Sequence, residues 1–185
     1  MRNAIAVVVL LLAATAMANP IAIELYIDFD PPNFVPSTYP VPYEEFNAYV
    51  MAELWGAAPV ESISFDLDFW DGAMLQTGPF ASLDPSVQVQ FEGNGITVVN
   101  PNCWDTWPVT LGYLPLMYLG GEGLVEVLPH GDHGHTFHTC GDPGETFDYC
   151  YVMHGGVGME PSGPDELCGN PVQDVTWGSV KALYR

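Results

Sequence analysis

Basic residues are almost missing from this chain. Lys and Arg together number 3 in 185 residues, against 23 Asp and Glu, for a formal net charge of −20. Three cations cannot build a basic patch, so unaided nucleic-acid binding is excluded. Docking on anionic membrane surfaces is disfavoured for the same reason. Long apolar runs are missing too. The one unbroken stretch, Ala4 to Ala14, falls short of the roughly 20 residues that span a bilayer. There is no Cys-x-x-Cys pair, no His-Glu-x-x-His, no Gly-x-Ser-x-Gly, no glycine-rich phosphate loop after a strand and no Asn-x-Ser/Thr sequon. The usual marks of zinc-thiolate centres, zinc and serine hydrolases and nucleotide sites are therefore absent. Internal repeats of about 20–50 residues are absent as well. Charged residues are 14% and apolar residues 48%, so composition does not make the chain disordered.

The length fits one domain on the soft scale of about 150 residues each. Residues 1–18, MRNAIAVVVLLLAATAMA, read as a signal peptide. Arg2 is the positive start, an apolar run succeeds it, and Ala16-Met17-Ala18 is a small-x-small cleavage site. An uncleaved anchor is the alternative. The mature domain is then 19–185, with no membrane insertion after cleavage. Its expected place is secreted, extracellular or on the cell surface, or else the periplasm. Export sets the redox compartment, so Cys103, Cys140, Cys150 and Cys168 are expected to form two disulfides. Four cysteines pair in one of three ways. Cys103–Cys140 with Cys150–Cys168 is preferred because both loops are local and do not cross.

Period-two alternation dominates the mature chain. Ile21, Ile23, Leu25, Ile27 and Phe29 alternate with Ala22, Glu24, Tyr26, Asp28 and Asp30. Phe46 to Leu54, Ile63 to Trp70 and Val87 to Glu92 repeat the pattern. Asn94-Gly95 is a hairpin turn signal before Ile96–Val99. Val109–Leu119 and Leu124–Leu128 give the last clear strands, and Phe147–Met153 one more candidate. Roughly seven or eight short strands with one apolar face predict an all-β, two-sheet antiparallel β-sandwich of immunoglobulin-like kind. Residues 129–171 read as an irregular His/Cys-rich, disulfide-pinned loop region. Residues 174–185 change period and read as a short C-terminal helix.

The strands IAIELYID, FNAYVMAEL and VESISFDLDF resemble the cohesin-like and carbohydrate-binding-module-like sandwiches of secreted bacterial proteins. The chain end TWGSVKALYR resembles the terminus of a group of exported bacterial proteins. The resemblance covers about two thirds of the mature chain. It implies an extracellular recognition or assembly module without catalysis, and carries no binding residue over.

Three groups of residues could carry chemistry. All five histidines lie between His130 and His154. His130, His133, His135 and His138, with Asp132, form the candidate metal set, since imidazole is the commonest neutral ligand of Zn and other transition metals. Three ring nitrogens would have to converge about 2.0–2.1 Å from one point. The alternative is a solvated loop. Asp28 with Asp30, and Asp66 with Asp68 and Asp71, are paired carboxylates on outer strand faces and the candidate Ca²⁺ ligands; ordinary outward polar positions are the alternative. With so few cations, divalent ions should stabilise the fold. Trp70, Trp104 and Trp107 are candidate glycan contacts, or rings that cover the sandwich ends. The expectation is a secreted non-catalytic recognition or assembly module with an extracellular protein or glycan partner. A metal-binding protein and a carbohydrate-binding module are the alternatives. No catalytic residue is assigned.

Overall fold

A computed structural model describes residues 22–31, 33–55, 58–70, 72–141, 144–149, 151–161 and 165–166. The signal segment 1–18, the expected helix 174–185, Cys150 and Cys168 lie outside the described residues.

In chain order the strands are β1 (Ala22–Asp28), β2 (Ser37–Thr38), β3 (Glu45–Trp55), β4 (Val60–Phe69), β5 (Met74–Gln76), β6 (Gln88–Glu92) and β7 (Gly95–Trp104). They continue as β8 (Val109–Tyr118), β9 (Gly123–Leu128), β10 (Thr136–Thr139), β11 (Thr146–Asp148), β12 (Tyr151–Met153), β13 (Gly155–Val157) and β14 (Asp165–Glu166). One sheet runs β14–β12–β1–β3–β8–β5. The other runs β11–β10–β4–β9–β13–β2, with β7 on the remaining edge of β4 and β6 beyond it. Every pairing is antiparallel except β1–β12 and β13–β2.

The alternating residues do what their period demands. Ile23, Leu25 and Ile27 of β1 and Ala48, Val50 and Ala52 of β3 are fully buried, and join Ile63 and Phe65 of β4 in one core cluster shared by both sheets. Phe65 meets Phe80 edge to face, with ring centroids 5.7 Å apart. The Asn94-Gly95 signal falls at the β6–β7 hairpin, where Glu92 pairs with Gly95.

The structure corrects the expected irregular region 129–171. Leu128 of β9 lies opposite Asp66, and Phe137 of β10 lies opposite Ile63. The two strands run along the same edge of β4, and Pro129–His135 is an excursion between them. Phe137, Tyr149, Val152 and Val157 are buried in the core. Strands of three or four residues are too short to show a period of their own, so they borrow register from a longer neighbour. That is also why fourteen strands form among the described residues where the alternation showed about half as many.

A second correction concerns β1. Its polar parity is not solvated: Glu24 is 3% exposed, Tyr26 7% and Asp28 1%. β1 lies between β12 and β3, so strands pair both of its edges and their side chains flank its outward-facing ones. Tyr26, Met51 and Met153 form a small apolar cluster on this outer side, with Tyr49 against it, and Phe34 meets the Tyr26 ring edge-on.

The Cys103–Cys140 disulfide forms as expected, with Cα atoms 6.4 Å apart. It straps the two strands that flank the start of β4, because Trp104 of β7 and Thr139 of β10 both face Val60.

Candidate functional site

The His-rich excursion is built around one buried ring. His130 and Gly134 exchange backbone hydrogen bonds of 2.7 Å, and Gly134 turns the chain with φ 66°, a conformation glycine adopts without strain. The His130 side chain is 2% exposed. Its Nδ1 accepts the Asp132 N–H at 3.1 Å and the His133 N–H at 3.2 Å. Its Nε2 lies against Gly95, where any Cβ would collide with the ring, and has no hydrogen-bond partner among the described residues. The His133 ring lies tilted beside it with centroids 4.7 Å apart and puts Nε2 2.9 Å from Glu92 Oε2.

The predicted metal set therefore divides. Glu92, His130 and His133 bring one ligand atom each within 4.8 Å of one another. His135 sits elsewhere, beside Asp148 and the Tyr149 ring. His138 bonds Thr146 Oγ1 at 2.9 Å. Asp132 is exposed and serves His130 through its backbone N–H. The fifth histidine, His154, is 4% exposed; its Nδ1 accepts the Val127 N–H and its Nε2 donates to Asp165 Oδ2 at 3.1 Å. Glu92 escaped sequence reasoning because it is far from the histidines in the chain. The Asn94-Gly95 turn was the only sign that β6 would stand beside them.

The chemistry of the trio is uneven. A neutral imidazole has one lone pair, and a metal-bound histidine keeps an N–H on its other nitrogen to donate. In His130 that lone pair, on Nδ1, already receives two backbone N–H groups. As arranged, Glu92 and His133 have donors to offer a cation, and His130 joins only by giving up both bonds.

The carboxylates differ from expectation. Asp28 is buried, and its Oδ1 accepts the N–H groups of Asp30 and Val35 at 2.9 Å; it orders the turn after β1 rather than facing solvent. Asp66 and Asp68 each fold back on the next residue's amide.

The tryptophans do not share a platform. Trp104 is 8% exposed and Trp107 packs on it at 6.4 Å between ring centroids. Trp104 faces Val60 at one end of β4, whereas Trp70 comes after Phe69 at the other, about 30 Å away at the usual strand rise. Trp70 alone of the three is well exposed, at 46%.

An apolar patch missed in the sequence surrounds that end. Tyr39, Val41 and Tyr43 are more than half exposed, and Leu119 is exposed as well. Backbone bonds tie the end of this segment to the end of β8: Tyr43 N–H to Tyr118 O, Tyr118 N–H to Glu44 O, and Leu119 N–H to Ala73 O. Ala73 N–H in turn bonds Trp70 O. Pro40 and Pro42 interrupt regular pairing between β2 and β3, and the large apolar side chains there stay exposed. A readable signal existed, namely large apolar residues between prolines. Patches of this kind, rich in tyrosine, mark protein contact surfaces.

No protein-family model matches the chain, and no curated protein does. Solved structures do. A cohesin module of a family 33 glycoside hydrolase from Clostridium perfringens is 15% identical, with a TM-score of 0.52 over 80% of this chain and 97% of that one. The sixth cohesin of scaffoldin B from Acetivibrio cellulolyticus, solved with a dockerin, is 11% identical, with a TM-score of 0.51 over 75% and 99%. A cohesin–dockerin complex from Clostridium thermocellum gives 9% identity and a TM-score of 0.52 over 82% and 97%. At these identities the likeness is one of fold, and the fold of this chain is the cohesin-like β-sandwich.

Proposed function

We propose that this protein is a non-catalytic protein–protein assembly module that works outside the cell. The observation that carries this is the end-to-end match of its sandwich to cohesin modules, two of them solved with dockerin partners. The exposed tyrosine-rich patch at Tyr39, Val41, Tyr43 and Leu119 is the contact surface on this reading. The signal-like residues 1–18 and the disulfide support an oxidising, exported setting. The test is calorimetric titration of the oxidised protein with purified dockerin modules, beside light scattering for self-association. A defined complex, weakened by Tyr39→Ser with Tyr43→Ser at unchanged melting temperature, supports the reading. No complex with any dockerin and no self-association overturns it.

A second reading has one specific observation behind it, the convergence of Glu92, His130 and His133. On that reading the protein holds a transition-metal ion between β6 and the excursion. Zinc titration of the oxidised protein and of its Glu92 and His133 variants tests it.

A further inference from the structure

Among the described residues, β4 is paired on both edges only over its first half. β7 ends at the Phe65–Ile96 pair. On the opposite edge β9 continues from Asp66–Leu128 to Phe69–Val125, and the Trp70 N–H closes on Leu124 O. Successive residues of a strand turn their N–H and C=O to opposite edges. Asp66, Asp68 and Trp70 therefore face β9, while Leu67 and Phe69 face the edge that β7 has left. The hydrogen bonds agree. The Leu67 N–H donates to Asp66 Oδ1 at 2.7 Å, and the Phe69 N–H donates to Asp68 Oδ1 at 2.8 Å. Each carboxylate folds back to satisfy the amide of the next residue, a local substitute for a missing strand.

This edge opens into a groove of about 470 Å³. Phe91 and the Gly93-Asn94 turn line it, together with Gln76 and Phe80. Phe91 is 55% exposed, a large apolar ring open to solvent among the described residues. The charges that line the groove are carboxylates. Among the described residues there is no Lys or Arg at all, since Arg2, Lys181 and Arg185 lie outside them.

We propose that this groove binds an extended peptide segment bearing Lys or Arg, which adds to the sheet as a strand along Leu67–Phe69. An unpaired strand edge recognises backbone, and it does so by accepting one more strand. Side chains of the incoming strand point alternately to the two faces of the sheet. One set meets the apolar walls at Phe91 and Phe80, and cationic residues meet Asp66 and Asp68 once these release the Leu67 and Phe69 amides. The acidic lining selects for charge and the edge selects for an extended backbone. The inference does not rest on the tyrosine-rich patch being a contact surface.

The probe is the blocked peptide acetyl-Lys-Val-Lys-Val-Lys-Val-amide, titrated into isotope-labelled protein and monitored by amide resonances and by calorimetry. The Leu67 and Phe69 amides are expected to shift and to gain protection from exchange. N-methylation of the peptide along one edge should weaken binding by about tenfold or more, the worth of two or three backbone hydrogen bonds. Asp66→Asn with Asp68→Asn keeps an acceptor oxygen for each amide, so the fold should persist, as the melting temperature will show. That variant should lose the preference for the lysine peptide over its glutamate counterpart, whereas Tyr39→Ser with Tyr43→Ser should bind as before. Equal binding by the N-methylated peptide, resonance shifts confined to other surfaces, or no binding at millimolar peptide overturns the proposal.

Discussion

Glu24 stands directly opposite Glu53 across the β1–β3 ladder, on a face where Glu24 is 3% exposed. Burial, and then the nearby Glu53 charge, push the Glu24 carboxyl from its ordinary 4.5 up to about 7. Burial raises Glu53 as well. The folded state therefore holds a proton that the unfolded chain has released between pH 4.5 and 7. Stability from this group is complete below 4.5, falls as pH rises, and is lost above about 7. With Glu24 moving from 4.5 to about 7, the span is at most about 3 kcal/mol. Urea midpoints measured from pH 4 to pH 8 should fall, and Glu24→Gln should flatten that slope. An unchanged slope in the variant would show that general charge repulsion is responsible instead.

The Cys103–Cys140 bridge closes a loop with a sequence separation of 37. A loop of that size restricts the unfolded chain by about 4 kcal/mol on the chain-entropy account. Cys103→Ser with Cys140→Ser should cost on that order, read as a lower denaturant midpoint under oxidising conditions. A loss well under about 1 kcal/mol would mean that β10 and the end of β7 stay docked without the strap.

A single added methyl group at Gly95 probes how firmly the buried imidazole is held. A Cβ there meets the His130 ring, which is pinned by two backbone N–H groups and cannot slide away. Gly95→Ala should destabilise by about 1–3 kcal/mol, the usual cost of overpacking. The resonances of the Asp132 and His133 amides should move with it. If stability is untouched, the excursion yields easily and His130 does not anchor it.

Zinc titration separates the two halves of the histidine trio. Because Glu92 and His133 hold the available donors, His133→Ala or Glu92→Gln should abolish zinc binding by the oxidised protein. His130→Ala should act chiefly on stability, since it removes a buried ring that receives two amides. Stoichiometric binding in wild type that disappears in His130→Ala, with the melting temperature preserved, would place the ring in the coordination shell. Wild type that binds no zinc removes the metal reading altogether.

The tryptophans predict opposite outcomes. Trp104→Ala should cost about 3–5 kcal/mol, as deletion of a buried large ring does. Trp70→Ala should stay within about 0.5 kcal/mol, as surface changes generally do. Retention on an insoluble polysaccharide, lost in Trp70→Ala alone, would show that the exposed ring binds sugar.

Much of the sandwich was legible because its long strands repeat with period two. β1, β3, β4 and β8 carry enough alternating residues for one face to declare itself, and Asn94-Gly95 declared a turn. The Cys103–Cys140 pairing came from closeness in the chain. The site was less legible. His130 looked like one of several equivalent ligands, yet the fold buries it and leaves His138 on the surface. Glu92 had no local mark at all. The parity of β1 misled because alternation reports where polar residues fall, not whether a neighbouring strand will cover them.

By itself the sequence determined the all-β class, the acidic character and the apolar faces, since these depend on residue type and spacing along the chain. Only the tertiary structure decided that the His-rich stretch is an excursion from one β4 edge, that Glu24 is buried beside Glu53, and that the edge toward which Leu67 and Phe69 turn their N–H groups has no strand beside it among the described residues. Those facts depend on which strand ends where against its neighbour. Long-range register is set by the whole core at once, and no local run of residues encodes it.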